Sequence, residues 1–313
     1  MENTPQKKKR SLFKRILKGI GVFIGSILGL ALILILIFVI YSYSQFYKTY
    51  DIPDETVSVP IGDEAAIARG KILARYVRCT ECHGDDMSGV LWVDQWYLGH
   101  WGPSNLTTGA GSRILDYTDE DFVRAIRHGV NPDGKPLVYM PAHFYTPLSR
   151  EDTEAIIAYI RSLPPVDTDE IPNTTGPLLW GYALREPAGL PAKHIDHSLP
   201  FPDVPERGAT VAYGEYMSQA CRSCHADDMS GRERLERVGV MGPNVTMAGL
   251  AGWTEEEFYT AMKTGVVPNG RNLSPLTMPW ESIGQLGDDE LTALWLYIQS
   301  LPPVTNEFIR ESK

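Results

Sequence analysis

Four cysteines occur in 313 residues, and all four fall in two copies of one pattern: Cys79-Thr80-Glu81-Cys82-His83 and Cys221-Arg222-Ser223-Cys224-His225. Two thiols three positions apart, closed by a histidine, form the attachment pattern of c-type haem. Each thiol can form a thioether to one vinyl group of a single porphyrin, and the adjoining imidazole then reaches the iron. No cysteine remains for a disulfide. A zinc knuckle would want further Cys or His ligands close by, and none follows either motif. The pattern therefore predicts two covalently bound haem c groups (iron), with Cys79, Cys82, Cys221 and Cys224 as attachment points and His83 and His225 as proximal ligands.

The ligand on the far side of each iron separates electron transfer from catalysis, because iron saturated on both faces offers no position to a substrate. No histidine follows His225, so a second imidazole there would have to come from His194 or His197. The second copy contains Met229, Met241, Met247 and Met278. Met229 is too close to His225 to cross the ring, and Met241 and Met247 flank the segment expected on the proximal side. Met278 precedes Pro279 just upstream of the last helix. The first copy offers Met140, His100, His128 and His143, of which only Met140 has a methionine counterpart in the other half. Core packing is the usual role of a methionine; the doubled Met-Pro pair selects Met140 and Met278 as distal ligands.

The elements that must position these residues also come in duplicate. Asp63 caps a helix to about Arg78 that delivers the first motif. Met87-Ser88-Gly89 and Gly102-Pro103 follow, then a helix opened by Thr118 with an acid three residues on and closed at Gly129. A turn at Pro132-Asp133-Gly134 leads to Val138-Tyr139-Met140-Pro141, and Ser149 caps a last helix stopped by Pro164-Pro165. The second copy repeats the order with Gly214, Met229-Ser230-Gly231, Gly242-Pro243, Thr254, Gly265, Pro268-Asn269-Gly270 and Met278-Pro279, ending in a shared Ser-Leu-Pro-Pro-Val. This is an internal duplication rather than a solenoid. The expected boundaries are 63–166 and 207–313, joined by a Pro-rich linker over 167–206 whose His194 and His197 are expected in solvent rather than on a metal.

Charge is unevenly spread. Residues 1–50 hold eight basic side chains and one acidic, whereas residues 51–313 hold 21 and 38, a net of −17. So acidic a body argues against nucleic acid and for partners with basic docking faces. Between the basic segment 1–18 and a tether over 42–62, Gly19 to Tyr41 is an uncharged apolar run of about 23 residues, enough for one transmembrane helix. Lysines and arginines before it and Tyr41, Tyr43, Phe46, Tyr47 and Tyr50 after it place the N-terminus in the cytoplasm. The run is too long and its flank too poor in small residues for a cleaved signal peptide. The haem domains are then expected in the periplasm, on the outer side of a cell inner membrane.

With these residues in place the chain resembles a duplicated class I cytochrome c. The resemblance implies an all-α fold: two tandem class I cytochrome c-like domains after one N-terminal transmembrane helix. It implies that the carbonyls of Pro103 and Pro243 accept the proximal imidazole N–H bonds, and that Gly70 crosses Tyr159 as Gly214 crosses Tyr297. Among duplicated relatives the chain is most similar to membrane-bound dihaem subunits serving dehydrogenases, and less to the dihaem subunit of a haem–copper oxidase. The expected function is electron transfer between donor and acceptor proteins of a respiratory chain, with a membrane-bound respiratory complex or dehydrogenase as partner. A dihaem peroxidase-type enzyme is the alternative, requiring one iron with an open or displaceable distal position. The aromatic insertion Trp92–Trp101 in the first copy and the charged stretch from Arg232 through Glu233, Arg234 and Glu236 to Arg237 in the second are departures from the family. Asn105-Leu106-Thr107, Asn173-Thr174-Thr175 and Asn244-Val245-Thr246 match the weak glycosylation pattern. Lys135 and Arg271 occupy equivalent turns as ordinary solvated charges.

Overall fold

The computed structural model describes residues 6–185, 189–232 and 242–307. Glu233, Arg234, Glu236, Arg237 and Met241 lie outside the described residues. The chain divides into two compact units at Lys48. The first contains one helix, α1, Gln6–Phe46. Its stretch from Leu12 to Phe46 has a mean hydropathy of 3.1 and is long and apolar enough to cross a membrane. The helix exceeds the expected 19–41 span at both ends. Leu12, Phe13, Ile16 and Leu17 continue the apolar surface between the basic residues, and no helix breaker intervenes up to Phe46.

The second unit, from Thr49 onward, is built on two repeats of one helical frame. In the first, α2 (Glu64–Tyr76) leads into the short motif helix α3 (Cys79–His83), then α4 (Asp119–Val123) and the closing helix α5 (Arg150–Arg161). In the second, α7 (Val211–Met217), the motif helix α8 (Gln219–His225), α9 (Glu255–Thr264), α10 (Trp280–Ile283) and α11 (Asp288–Ser300) follow the same order. The starts are written in side chains. Asp63 accepts from Ala65 and Ala66, and Ser149 accepts from the Asp152 N–H. Thr118 with Asp121 and Thr254 with Glu257 close reciprocal capping boxes, each cap worth about 1 kcal/mol.

In each repeat the first helix crosses the last, α2 on α5 and α7 on α11. A Cβ on Gly70 would lie far inside the Ala155 carbonyl and 2.9 Å from Tyr159 Cβ; one on Gly214 would meet Ala293 and Tyr297 in the same way. Only glycine lets the backbones approach this closely, and an added methyl would have no direction in which to move.

Three departures from a purely helical plan concentrate in the first repeat. The aromatic insertion is a β-hairpin, β1 (Val93–Gln95) with β2 (Gly99–Trp101), to which β3 (Thr174–Thr175) adds from the linker. The linker also contains α6, Pro177–Arg185. Finally, α4 runs into one π-helical turn, Arg124–His128, before Gly129 ends it in the left-handed region at φ 64°. That wider turn directs both Arg127 and His128 inward, where they are almost wholly buried.

The segment after Lys48 is no loose tether. Tyr50 N–H donates to Gly134 O at 2.9 Å, Ser58 N–H to Glu154 at 2.8 Å, and Val57 and Val59 pack on the core of the first repeat. The two repeats are fastened together by Arg69 of α2, which binds Asp152 of α5 at 3.1 Å and also reaches Glu290 of α11. Asp152 and Glu290 occupy corresponding positions, each three residues before the alanine that faces a crossing glycine. Tyr213 and Tyr216 complete the cluster, the latter donating to Asp152 at 2.7 Å.

Candidate haem sites

Each motif is held by a turn that both halves share. The Gly89 N–H donates to His83 O at 2.8 Å, and the Gly231 N–H to His225 O at 2.9 Å. Met87 and Met229 lie between, both left-handed (φ 59° and 61°) and both fully buried; this fixes them as core residues. Each carbonyl then accepts the next strand of backbone, from Leu106 at 2.8 Å and Val245 at 2.9 Å.

The imidazoles are oriented by backbone carbonyls. His225 Nδ1 bonds Pro243 O at 2.7 Å, the arrangement expected for Pro243. His83 Nδ1 bonds Ser104 O at 2.8 Å instead of Pro103 O. Pro103 is thereby corrected: its carbonyl accepts the Val90 N–H at 3.1 Å, at the base of the hairpin. The reason is one residue of length. The first copy reads Gly102-Pro103-Ser104-Asn105 and the second Gly242-Pro243-Asn244, so the acceptor in each is the residue before the asparagine.

That asparagine is the anchor of the proximal side and was not recognised as such in the sequence. Asn105 donates to Val166 O at 2.8 Å and Asn244 to Val304 O at 2.6 Å, while Thr107 and Thr246 donate back to the asparagine carbonyls at 2.8 and 2.7 Å. All four side chains are buried. Two of the three glycosylation-like patterns are thus internal braces, inaccessible to a sugar. The shared Pro-Pro-Val ending is what could have revealed them, since its valine carbonyl is the partner in both halves.

The distal candidates occupy matching turns. Met140 O accepts the Ala142 N–H and Met278 O accepts the Trp280 N–H, each at 2.7 Å. The prolines between have nearly equal angles, −79°, 56° and −77°, 57°, the geometry of an inverse γ-turn. Met140 packs against the core of the first repeat; Met278 packs against that of the second, as does Cys221. Of the histidine competitors, His100 pairs with Asp94 within the hairpin. His143 lies over Phe144 with ring centroids 4.1 Å apart, and its buried Nδ1 has no hydrogen-bond partner among the described residues. His128 Nε2 lies 2.9 Å from Glu55 and its Nδ1 3.1 Å from His197. Of the linker pair, His194 is exposed as expected, but His197 is half-buried in this network. No cluster of three metal-ligating side chains exists among the described residues.

The chemistry of the donor set fits a covalently held haem iron. Burial, only partly offset by the bond to Ser104, lowers the basicity of His83, which favours the neutral imidazole that a metal requires. With Nδ1 turned to a carbonyl, Nε2 is the atom presented to the metal. Burial pushes the Cys79 thiol up to about 12 and Cys221 to about 11. Such thiols are poor thiolate ligands or nucleophiles at neutral pH.

Two stretches, residues 65–160 and 209–298, match the family described as cytochrome C oxidase, cbb3-type, subunit III. Over 275 residues the chain is 27% identical to the cytochrome c subunit of an alcohol dehydrogenase (quinone) from Gluconacetobacter polyoxogenes, covering 78% of this chain and 58% of that protein. It is 27% identical to a fructose dehydrogenase cytochrome subunit from Gluconobacter japonicus, covering 76% and 53%. A gluconate 2-dehydrogenase cytochrome c subunit from Pantoea cypripedii is 26% identical, with 76% and 60% covered. The chain thus spans somewhat more than half the length of these relatives.

Proposed function

The chain belongs to the cytochrome c oxidase, cbb3-type, subunit III family, whose cofactor is haem c, and from that premise we propose that it is a dihaem electron carrier held at a membrane by α1. In this reading Cys79 and Cys82 attach one haem and Cys221 and Cys224 the other. His83 and Met140 bind the first iron and His225 and Met278 the second. Bound haem supplies a one-electron Fe(III)/Fe(II) couple, and His/Met ligation sets it at a raised potential.

The protein's own part is to fix the ligands and exclude others. Ser104 and Pro243 carbonyls hold the imidazoles, the Asn–Thr braces hold those carbonyls, and the two Met-Pro turns present a thioether from the opposite side. The observation that carries this reading is the repetition in both halves of one Met-Pro turn, with the same bond to the methionine carbonyl and nearly the same proline angles. Joining both halves in one body keeps the sites at high effective concentration.

The dehydrogenase cytochrome subunits among its relatives support a dehydrogenase as electron donor and a respiratory protein as acceptor. The lysines and arginines near the start of α1 support a cytoplasmic N-terminus, which puts the two halves in the periplasm. The test is a pyridine haemochrome assay combined with near-infrared spectra of the ferric protein. Two haems per polypeptide are expected, with a methionine-to-iron charge-transfer band that weakens by about half in Met140→Ala or Met278→Ala, one of two ligated sites being lost in each. One haem per polypeptide, or a band unaffected by either substitution, overturns the proposal.

A further inference from the structure

At the join between the halves, a residue of the first half enters the core of the second. Tyr76, the last residue of α2, is 4% exposed and belongs to the apolar core of the second repeat. Its hydroxyl donates to Met217 O, and it lies 3.8 Å from Cys221 Sγ. Tyr76 thus stands three residues before Cys79 in sequence while its hydroxyl faces the first cysteine of the other motif. The corresponding residue of the second half, Ser218, has a hydroxyl that donates to Glu215 O at 2.7 Å, within its own helix. At this position the first half reaches across and the second does not.

Neighbouring contacts bring the two sites together at the same place. The motif helix α8 packs on the 142–144 turn that follows Met140-Pro141, and α10, which follows Met278-Pro279, packs on α2.

We propose that Tyr76 is a positioning residue of the second haem site and the bridge between the two sites: a covalent path from the Cys79 sulfur through residues 78 and 77 to the Tyr76 ring, then one non-covalent step from its hydroxyl to the Cys221 sulfur. This rests on the dihaem reading above. When an electron crosses, one iron site loses it and the other gains it; no proton moves and Tyr76 is not itself oxidised. With its proton on Met217 O, the hydroxyl turns its oxygen toward the sulfur that would join the porphyrin, and this disfavours the electron-richer state in a dry environment. The second haem would therefore be held at a lower potential than it would have without the hydroxyl.

The test is Tyr76→Phe in the full chain, with Tyr76→Met as a second variant that also keeps apolar bulk. Tyr216→Phe serves as control, removing a partly buried interface hydroxyl that donates to Asp152 and accepts the Ser149 N–H. Redox titration resolving the two haems should show one potential raised in both Tyr76 variants and the other unmoved. Electron equilibration between the haems after partial photoreduction should slow several-fold. Tyr216→Phe should lower the melting temperature while moving neither potential nor rate. Unmoved potentials and an unchanged rate in a Tyr76 variant that still binds two haems would overturn the role of Tyr76 alone. Fewer than two haems in the parent protein would instead overturn the dihaem reading on which it rests.

Discussion

The two halves share the frame proposed to hold iron and differ in what covers it. Crossing glycine, left-handed methionine, Asn–Thr brace and Met-Pro turn recur with hydrogen bonds equal to within about 0.2 Å. The covering does not recur. In the first half, residues 136–140 are half-buried throughout, Tyr139 stacks on Trp101 of the hairpin at 5.2 Å, and the π-turn drives Arg127 and His128 onto Glu55 of the incoming segment. In the second half, residues 274–277 are exposed, Leu276 to 87%. Lys263 and Thr264 stand where Arg127 and His128 stand in the first. In the proposed reading the repeated frame is the ligand geometry, which tolerates little displacement. Access and polarity around the iron were left free to diverge, and these are the variables that set potential and partner contact.

The largest effects should come from the shared frame and be equal in both halves. Gly70→Ala and Gly214→Ala each drive a methyl into a backbone carbonyl and should destabilise their half by about 3 kcal/mol or more, read as loss of one haem-containing transition in thermal unfolding. A large effect in one half only would break the comparison. Next should come the covering of the first half. Glu55→Gln leaves buried Arg127 without its carboxylate, at a cost of about 3 kcal/mol, and should leave the unfolding of the second half unchanged.

The same carboxylate gives a pH signature. Burial alone would raise its pKa, but the bonds from His128 and Arg127 outweigh burial and hold it below the ordinary value. Its contribution is therefore complete above an unfolded pKa of about 4.3 and disappears as pH falls through the lowered folded value. Acid should loosen the first half before the second, and Glu55→Gln should remove that difference. The smallest effect sharpens the comparison at a single residue. Ala226, at φ 67° and ψ 166°, occupies a region that suits glycine, which the first half has as Gly84. Ala226→Gly should stabilise the second half by about 1 kcal/mol, measurable as a small rise in melting temperature; no rise would mean that the strain is relieved locally.

Much of this was legible in the chain because the chemistry is local. The Cys and His spacing, the capping pairs Thr118/Asp121 and Thr254/Glu257, and Gly70 opposite Tyr159 are fixed by short-range or repeated signals. The π-turn was not legible, since Arg127 and His128 read as the end of an ordinary helix until Glu55, more than 70 residues away, supplies their partner. The hairpin was hidden for a similar reason: Thr174 and Thr175 complete its sheet from the linker. The carbonyl at Ser104 was missed because one inserted residue shifts the register between a proline match and an asparagine match. Periodicity marks a helix, but a buried charge network joins segments that the sequence keeps apart.

The central claim is that both irons are saturated by the protein on both faces. Carbon monoxide titration of the reduced, unmutated protein tests it most directly. No change in the visible spectrum at millimolar carbon monoxide is the result expected. Stoichiometric binding to either haem would contradict it.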